Sequence, residues 1–183
     1  MYKGDVAETA VKELVQNSFD AIKVAKAEGF IGEGVIEVSI EKWRRIITIK
    51  DNGCGMTPET VLSAFFTVGG SYKGDNMDNR LKSGGYGVAK VAFLFSAQSI
   101  KVDTVKNGKR TVVEATSEEI LQDDFNLDVT LTDAPNGTEV TIVFPEYFVD
   151  SDGKRTPVEM WRADRFLDNP MIGDVTVVYN GSR

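Results

Sequence analysis

Histidine is absent from this 183-residue chain and cysteine occurs once. Those two absences exclude a disulfide, a cysteine-rich zinc site and every catalytic or metal centre that needs an imidazole, which removes much of hydrolytic and redox chemistry. Long apolar runs are missing too. The longest, Val91 to Phe95, is far too short to span a bilayer, and no apolar segment follows Met1 to Asp5 to make a signal peptide. Positive charge is in deficit, with 21 Lys and Arg against 28 Asp and Glu for a net charge of −7, which argues against a surface built to grip nucleic acid or an anionic membrane. The expectation is a cytoplasmic protein with no membrane partner. What remains, 42% apolar and 27% charged, is ordinary for one soluble globular domain.

From Val6 to about Glu28 apolar residues recur at three and four residue steps, predicting an amphipathic helix ended by Gly29. Val35 to Ile40 alternates and Ile46 to Lys50 is β-branched, a hairpin turning at Lys42-Trp43-Arg44. Thr57-Pro58 is an N-cap followed by proline at the first helical position, opening a short helix toward Phe66. Residues 69–85 hold five glycines and no periodicity, and so long a connection reads as a lid. A second, mostly apolar helix is expected from Tyr86 to Ala97. Asn107-Gly108 joins strands 99–105 and 109–116, and Pro135-Asn136-Gly137 is a turn flanked by strands 128–132 and 139–144. After Pro157 a polar helix to Leu167 and a last strand, Val175 to Tyr179, complete the reading. The fold class is α+β, a two-layer sandwich with a mixed, largely antiparallel sheet and helices on one face. Residues 1–183 read as a single domain cut from a longer protein.

Four segments carry residues suited to chemistry. Glu13, Asn17 and Asp20 fall within roughly 60° of one another on the first helix, a polar stripe beside an apolar face, or else a solvated face with a stabilising pair. Asp51-Asn52-Gly53-Cys54-Gly55-Met56 puts a carboxylate at a strand end, before two glycines that let backbone approach a ligand. It suits a flat heteroaromatic amine, and it also suits a plain turn. Ser83-Gly84-Gly85-Tyr86-Gly87-Val88 opens a helix where free N–H groups and the helix dipole make an anion site, unless the glycines only hinge the lid. Asn136-Gly137-Thr138 alone is a turn.

In order, these segments resemble the GHKL superfamily, the Bergerat-fold ATPases of type II topoisomerases, Hsp90 chaperones, MutL and MORC proteins and sensor histidine kinases. Glu13 to Ala21 resembles the N box, Asp51-x-Gly53-x-Gly55-Met56 the first glycine box, Gly84 to Ala89 the second and Gly137-Thr138 the third. Ala89 stands where the second box commonly ends in glycine. The resemblance implies ATP and Mg²⁺ as ligands, Glu13 as general base and Asn17 as the metal ligand, with Asp20 standing behind them. It implies that Asp51, helped by Thr138 through water, accepts the adenine amino group. Ala21, Gly53, Gly55 and Met56 would line the adenine pocket, and Gly84, Gly85, Tyr86, Gly87 and Val88 would meet the phosphates. Lys73 is a candidate for the γ-phosphate, beside Lys82 and Lys90.

The activity so implied is slow ATP hydrolysis driving a conformational switch by lid closure, with homodimerisation in the full-length protein. A histidine-kinase-like catalytic domain is an alternative, though with no histidine the acceptor is not in this chain. A nucleotide-responsive binding module without significant turnover is another.

Overall fold

The computed structural model describes residues 6–66, 97–168 and 174–181. The long first helix, α1 (Val6–Ala27), buries Ala10, Val11, Leu14, Val15, Ile22 and Ala25, the stripe that its three and four residue spacing predicts. Seven strands form one sheet: β1 (Gly34–Glu41), β2 (Ile46–Asp51), β3 (Ser99–Lys106), β4 (Lys109–Thr116), β5 (Asp128–Leu131), β6 (Gly137–Val143) and β9 (Val175–Gly181). Their order is β5-β4-β3-β6-β2-β1-β9. All neighbouring pairs described are antiparallel except β1 with β9. Two short strands, β7 (Tyr147–Val149) and β8 (Arg155–Pro157), make a separate hairpin.

Alternation along the strands puts Ile36, Val38, Ile40, Ile47, Ile49, Ile100, Val102, Val140 and Ile142 on one buried face. That face and the α1 stripe make a single core, so the protein is the expected α+β sandwich. A short helix, α2 (Pro58–Val61), capped by the Thr57 side chain and continued by a π-turn at Leu62–Phe66, adds Val61, Phe65 and Phe66 to that core. No described helix is long and apolar enough to cross a membrane.

Strand pairing and two helices differ from a purely local reading. Strands 128–132 and 139–144 are not hairpin partners: β5 pairs with β4, and β6 lies between β3 and β2. Turn residues mark where a chain reverses but not which neighbour it joins. The helix expected from Pro157 to Leu167 is replaced by turns and a 3₁₀ turn at Arg165–Asp168, bonded at three-residue steps (Ala163 N–H to Met160 O, Leu167 N–H to Asp164 O). Met160 and Ala163 are buried, and a spacing of three serves a 3₁₀ turn as well as an α-helix. Asp164 also accepts from Lys42 Nζ at 3.0 Å and Tyr179 Oη at 2.9 Å, which pins the segment to the β1/β9 edge. A helix not expected, α3 (Ser117–Leu121), follows β4 on a capping box between Thr116 and Glu119. The lid at 69–85 and the helix expected from Tyr86 lie outside the described residues, as do Lys73, Gly84, Gly85, Tyr86, Gly87 and Val88.

Candidate functional site

A cavity of about 360 Å³ opens between the middle of α1 and the end of β2 that carries Asp51. It brings together residues far apart in sequence: Asn17, Asp20 and Ala21 from α1, Asp51, Gly55 and Met56 from the loop after β2, and Thr138 from β6. The remaining walls are mostly apolar, with Leu14, Val24, Ile49, Phe65 and Val140. That combination, an apolar slot with a few convergent polar groups, suits a flat ligand with hydrogen-bonding edges.

Asp51 is the polar centre. Ser18 Oγ donates to its Oδ2 at 2.8 Å and the Gly53 backbone N–H to its Oδ1 at 2.9 Å, and the Thr138 N–H also reaches it. Burial outweighs these donors and pushes the Asp51 carboxyl up to about 6, so at pH 7 the ionised form exceeds the neutral one by roughly ten to one. The carboxylate is thus a charged acceptor at neutral pH, held under desolvation strain and with its oxygens already aimed.

The loop that presents it is shaped by close packing. Asn52 clamps the start of β1, accepting from the Val35 N–H at 2.8 Å and donating to the Glu33 carbonyl at 2.9 Å. A Cβ on Gly53 would lie 2.6 Å from Ala21 Cβ, so Gly53 lets the loop press on α1, and it does not line the cavity. Gly55 has φ +70° and a Cβ there would meet the Val105 carbonyl oxygen. Both glycines let the loop approach neighbouring protein, and Gly55 also lines the cavity.

On α1, Asn17 Nδ2 is buried with no hydrogen-bond partner, while Asp20 accepts from Gln16 Nε2 at 3.2 Å. Glu13, one turn before Asn17, is half-buried and outside the cavity lining. Cys54 lines the cavity, and burial pushes its thiol up, away from the reactive thiolate.

Two residues that the motifs do not name complete the site. Ser18 orients Asp51. Thr104 of β3 is fully buried, accepts the Met56 N–H at 2.9 Å and lies 2.8 Å from Thr138 Oγ1. Each is a polar residue at an inward position of an otherwise apolar series, and that was the available signal. Among the described residues no group of three or more His, Cys, Asp or Glu could hold a metal ion.

The chain is 27% identical over 184 residues to the chaperone protein HtpG of Shewanella sediminis, covering 84% of this chain and 29% of that one. It is 26% identical over 187 residues to HtpG of Francisella tularensis subsp. novicida, covering 86% and 30%. It therefore spans less than a third of those relatives' length. A family model described as histidine kinase-, DNA gyrase B- and HSP90-like ATPase matches residues 5–143, which include α1, the Asp51 loop and Thr138. The chain belongs to that family, the GHKL ATPases.

Proposed function

We propose that this domain binds ATP with Mg²⁺ and hydrolyses it slowly, the nucleotide state setting the conformation of a larger protein. The observation that carries the reading is the buried Asp51 carboxyl, held by Ser18 and Gly53 on the wall of an apolar slot. A carboxylate so placed accepts from the 6-amino group of adenine and has nothing to offer a carbonyl at that position, which fits adenine presented by its 6-edge. Ala21, Met56 and Ile49 supply the faces against which a purine packs.

Asn17 fits a metal role. It lies on the cavity wall, where its amide oxygen could serve a hard cation that takes its other ligands from phosphate and water, while the buried Nδ2, which has no protein partner, is left to donate to the ligand. Bound there, Mg²⁺ would supply charge neutralisation at the phosphoryl oxygens. Asn17→Ala is expected to make nucleotide affinity insensitive to Mg²⁺ while the unmutated domain binds more tightly with it. Titration calorimetry with ADP and a non-hydrolysable ATP analogue, with and without Mg²⁺, tests both statements. An unmutated domain that binds neither nucleotide overturns the proposal.

Acid should weaken binding. Protonation removes the charge that receives the base, so affinity is expected to fall below pH 6, by up to about tenfold per unit. Measuring adenosine alongside ADP separates this from titration of the phosphate. A flat profile from pH 8 to 5 would remove Asp51 from the recognition step.

Two chaperone relatives make a chaperone cycle the first role to examine in the whole protein. A second reading, nucleotide binding without significant turnover, is favoured by the position of Glu13 outside the cavity lining.

A further inference from the structure

Three residues in register cross the cavity floor on adjacent strands: Asp51 of β2 opposite Thr138 of β6, and Thr138 opposite Thr104 of β3. Asp51 and Thr138 line the cavity, whereas Thr104 is completely buried behind them. Hydrogen-bond accounting at Thr104 decides which way the Thr138 proton points. Thr104 Oγ1 has one proton and two lone pairs. It accepts the Met56 N–H at 2.9 Å, leaving one lone pair and the proton to serve the Gly137 carbonyl at 3.1 Å and Thr138 Oγ1 at 2.8 Å. A carbonyl only accepts. If the Thr104 proton goes to Gly137 O, the Thr138 hydroxyl donates to Thr104 and all three contacts are hydrogen bonds. If it goes to Thr138 instead, the Gly137 contact is lost. The first arrangement makes all three contacts hydrogen bonds, whereas the second leaves two oxygen acceptors facing each other at 3.1 Å with no proton between them.

We propose that Thr104, which touches no ligand, is a positioning residue for base selectivity: it holds the Thr138 proton away from the cavity, so that the base meets acceptors only. Asp51 offers carboxylate oxygens, and Thr138 offers lone pairs. Such an edge takes the donor of a 6-amino purine and opposes the acceptor of a 6-oxo purine, a stronger exclusion than the mere lack of a partner. This inference rests on the adenine-nucleotide reading above and adds a residue to it.

The test uses three diphosphates on the unmutated domain by calorimetry: ADP, inosine diphosphate with oxygen at position 6, and purine riboside diphosphate with hydrogen there. Inosine diphosphate is expected to bind at least tenfold more weakly than the unsubstituted purine. Equal or tighter binding would mean that Thr138 donates to the 6-oxygen or that Asp51 takes the N1–H of the 6-oxo base, and either way the proposal fails. Thr104→Val frees the Thr138 proton and is expected to narrow the ADP-to-inosine diphosphate ratio about tenfold, and Thr104→Ser, which keeps the hydroxyl, should restore it. A Thr104→Val protein that binds ADP with the ratio unchanged also overturns the proposal. Should that variant fail to fold, the ligand series decides alone. ADP binding by the unmutated domain reports separately on the nucleotide reading.

Discussion

Asp51→Asn should lower adenine-nucleotide affinity by about 100-fold or more while leaving the fold intact. The substitution preserves shape, and Asn Oδ1 can still accept the Gly53 N–H. The other arm becomes an NH₂ where Oδ2 stood, so a donor now faces the adenine amine, and the Ser18 hydroxyl can rotate to accept from the new amide. Stability should move the other way. A carboxyl raised from 3.8 to about 6 binds its proton more tightly folded than unfolded, so the stability it contributes is full below pH 3.8 and is lost as pH rises through 6. By pH 7 that amounts to about 3 kcal/mol, a burden that the neutral amide does not carry. Thermal melts at pH 7 should therefore show the variant no less stable than the parent, beside calorimetry showing that it no longer binds. A variant that binds ADP within a few-fold of the parent would show that Asp51 does not read the base.

Glu13→Ala should leave Mg·ATP affinity within a few-fold and reduce turnover by roughly 10² or more, the usual worth of a positioned general base. Glu13 sits on α1 one turn before Asn17, on the same side of the helix, and it is half-buried although outside the cavity lining. A carboxylate there can take the proton of a water attacking the γ-phosphate without contributing to the affinity of the nucleotide. Phosphate release in a single-turnover experiment measures this directly. If the two proteins hydrolyse ATP at equal measurable rates, another base acts; if neither shows turnover, the domain only binds.

The sequence made local features legible and left pairing obscure. The apolar spacing of α1 and the Asn107-Gly108 turn each specify their own element, because helix period and turn chemistry are short-range. The placement of β6 between β3 and β2 is set by which faces bury together, and no turn residue encodes that. The capping box at Thr116 and Glu119 was readable, but it follows directly on the β-branched run of β4 and was absorbed into it. At the site, Asn17, Asp51, Met56 and Thr138 were found by motif and the cavity brings them together. Ser18 and Thr104 were not, since a small hydroxyl among apolar neighbours stands out only when its direction is known. Whether Glu13 reaches the reacting atoms depends on the cavity boundary, which spacing along a helix cannot fix.

The parallel pairing of β9 with β1 bears on how the molecule assembles. Gly34 of β1 meets Val175 of β9 across most of the sequence, whereas the β1–β2 and β3–β4 hairpins close locally. Contacts of such separation must meet their loop-closure entropy before they return any energy, so they form late. During synthesis the β1–β2 hairpin can emerge from the ribosome and fold long before residue 175 exists. For that interval one side of β1, rich in Val and Ile, presents unpaired N–H and C=O groups to any other extended chain in reach. In the folded sheet β9 takes up those groups of β1, so an edge left open by the early hairpin is closed only by a strand made about 125 residues later.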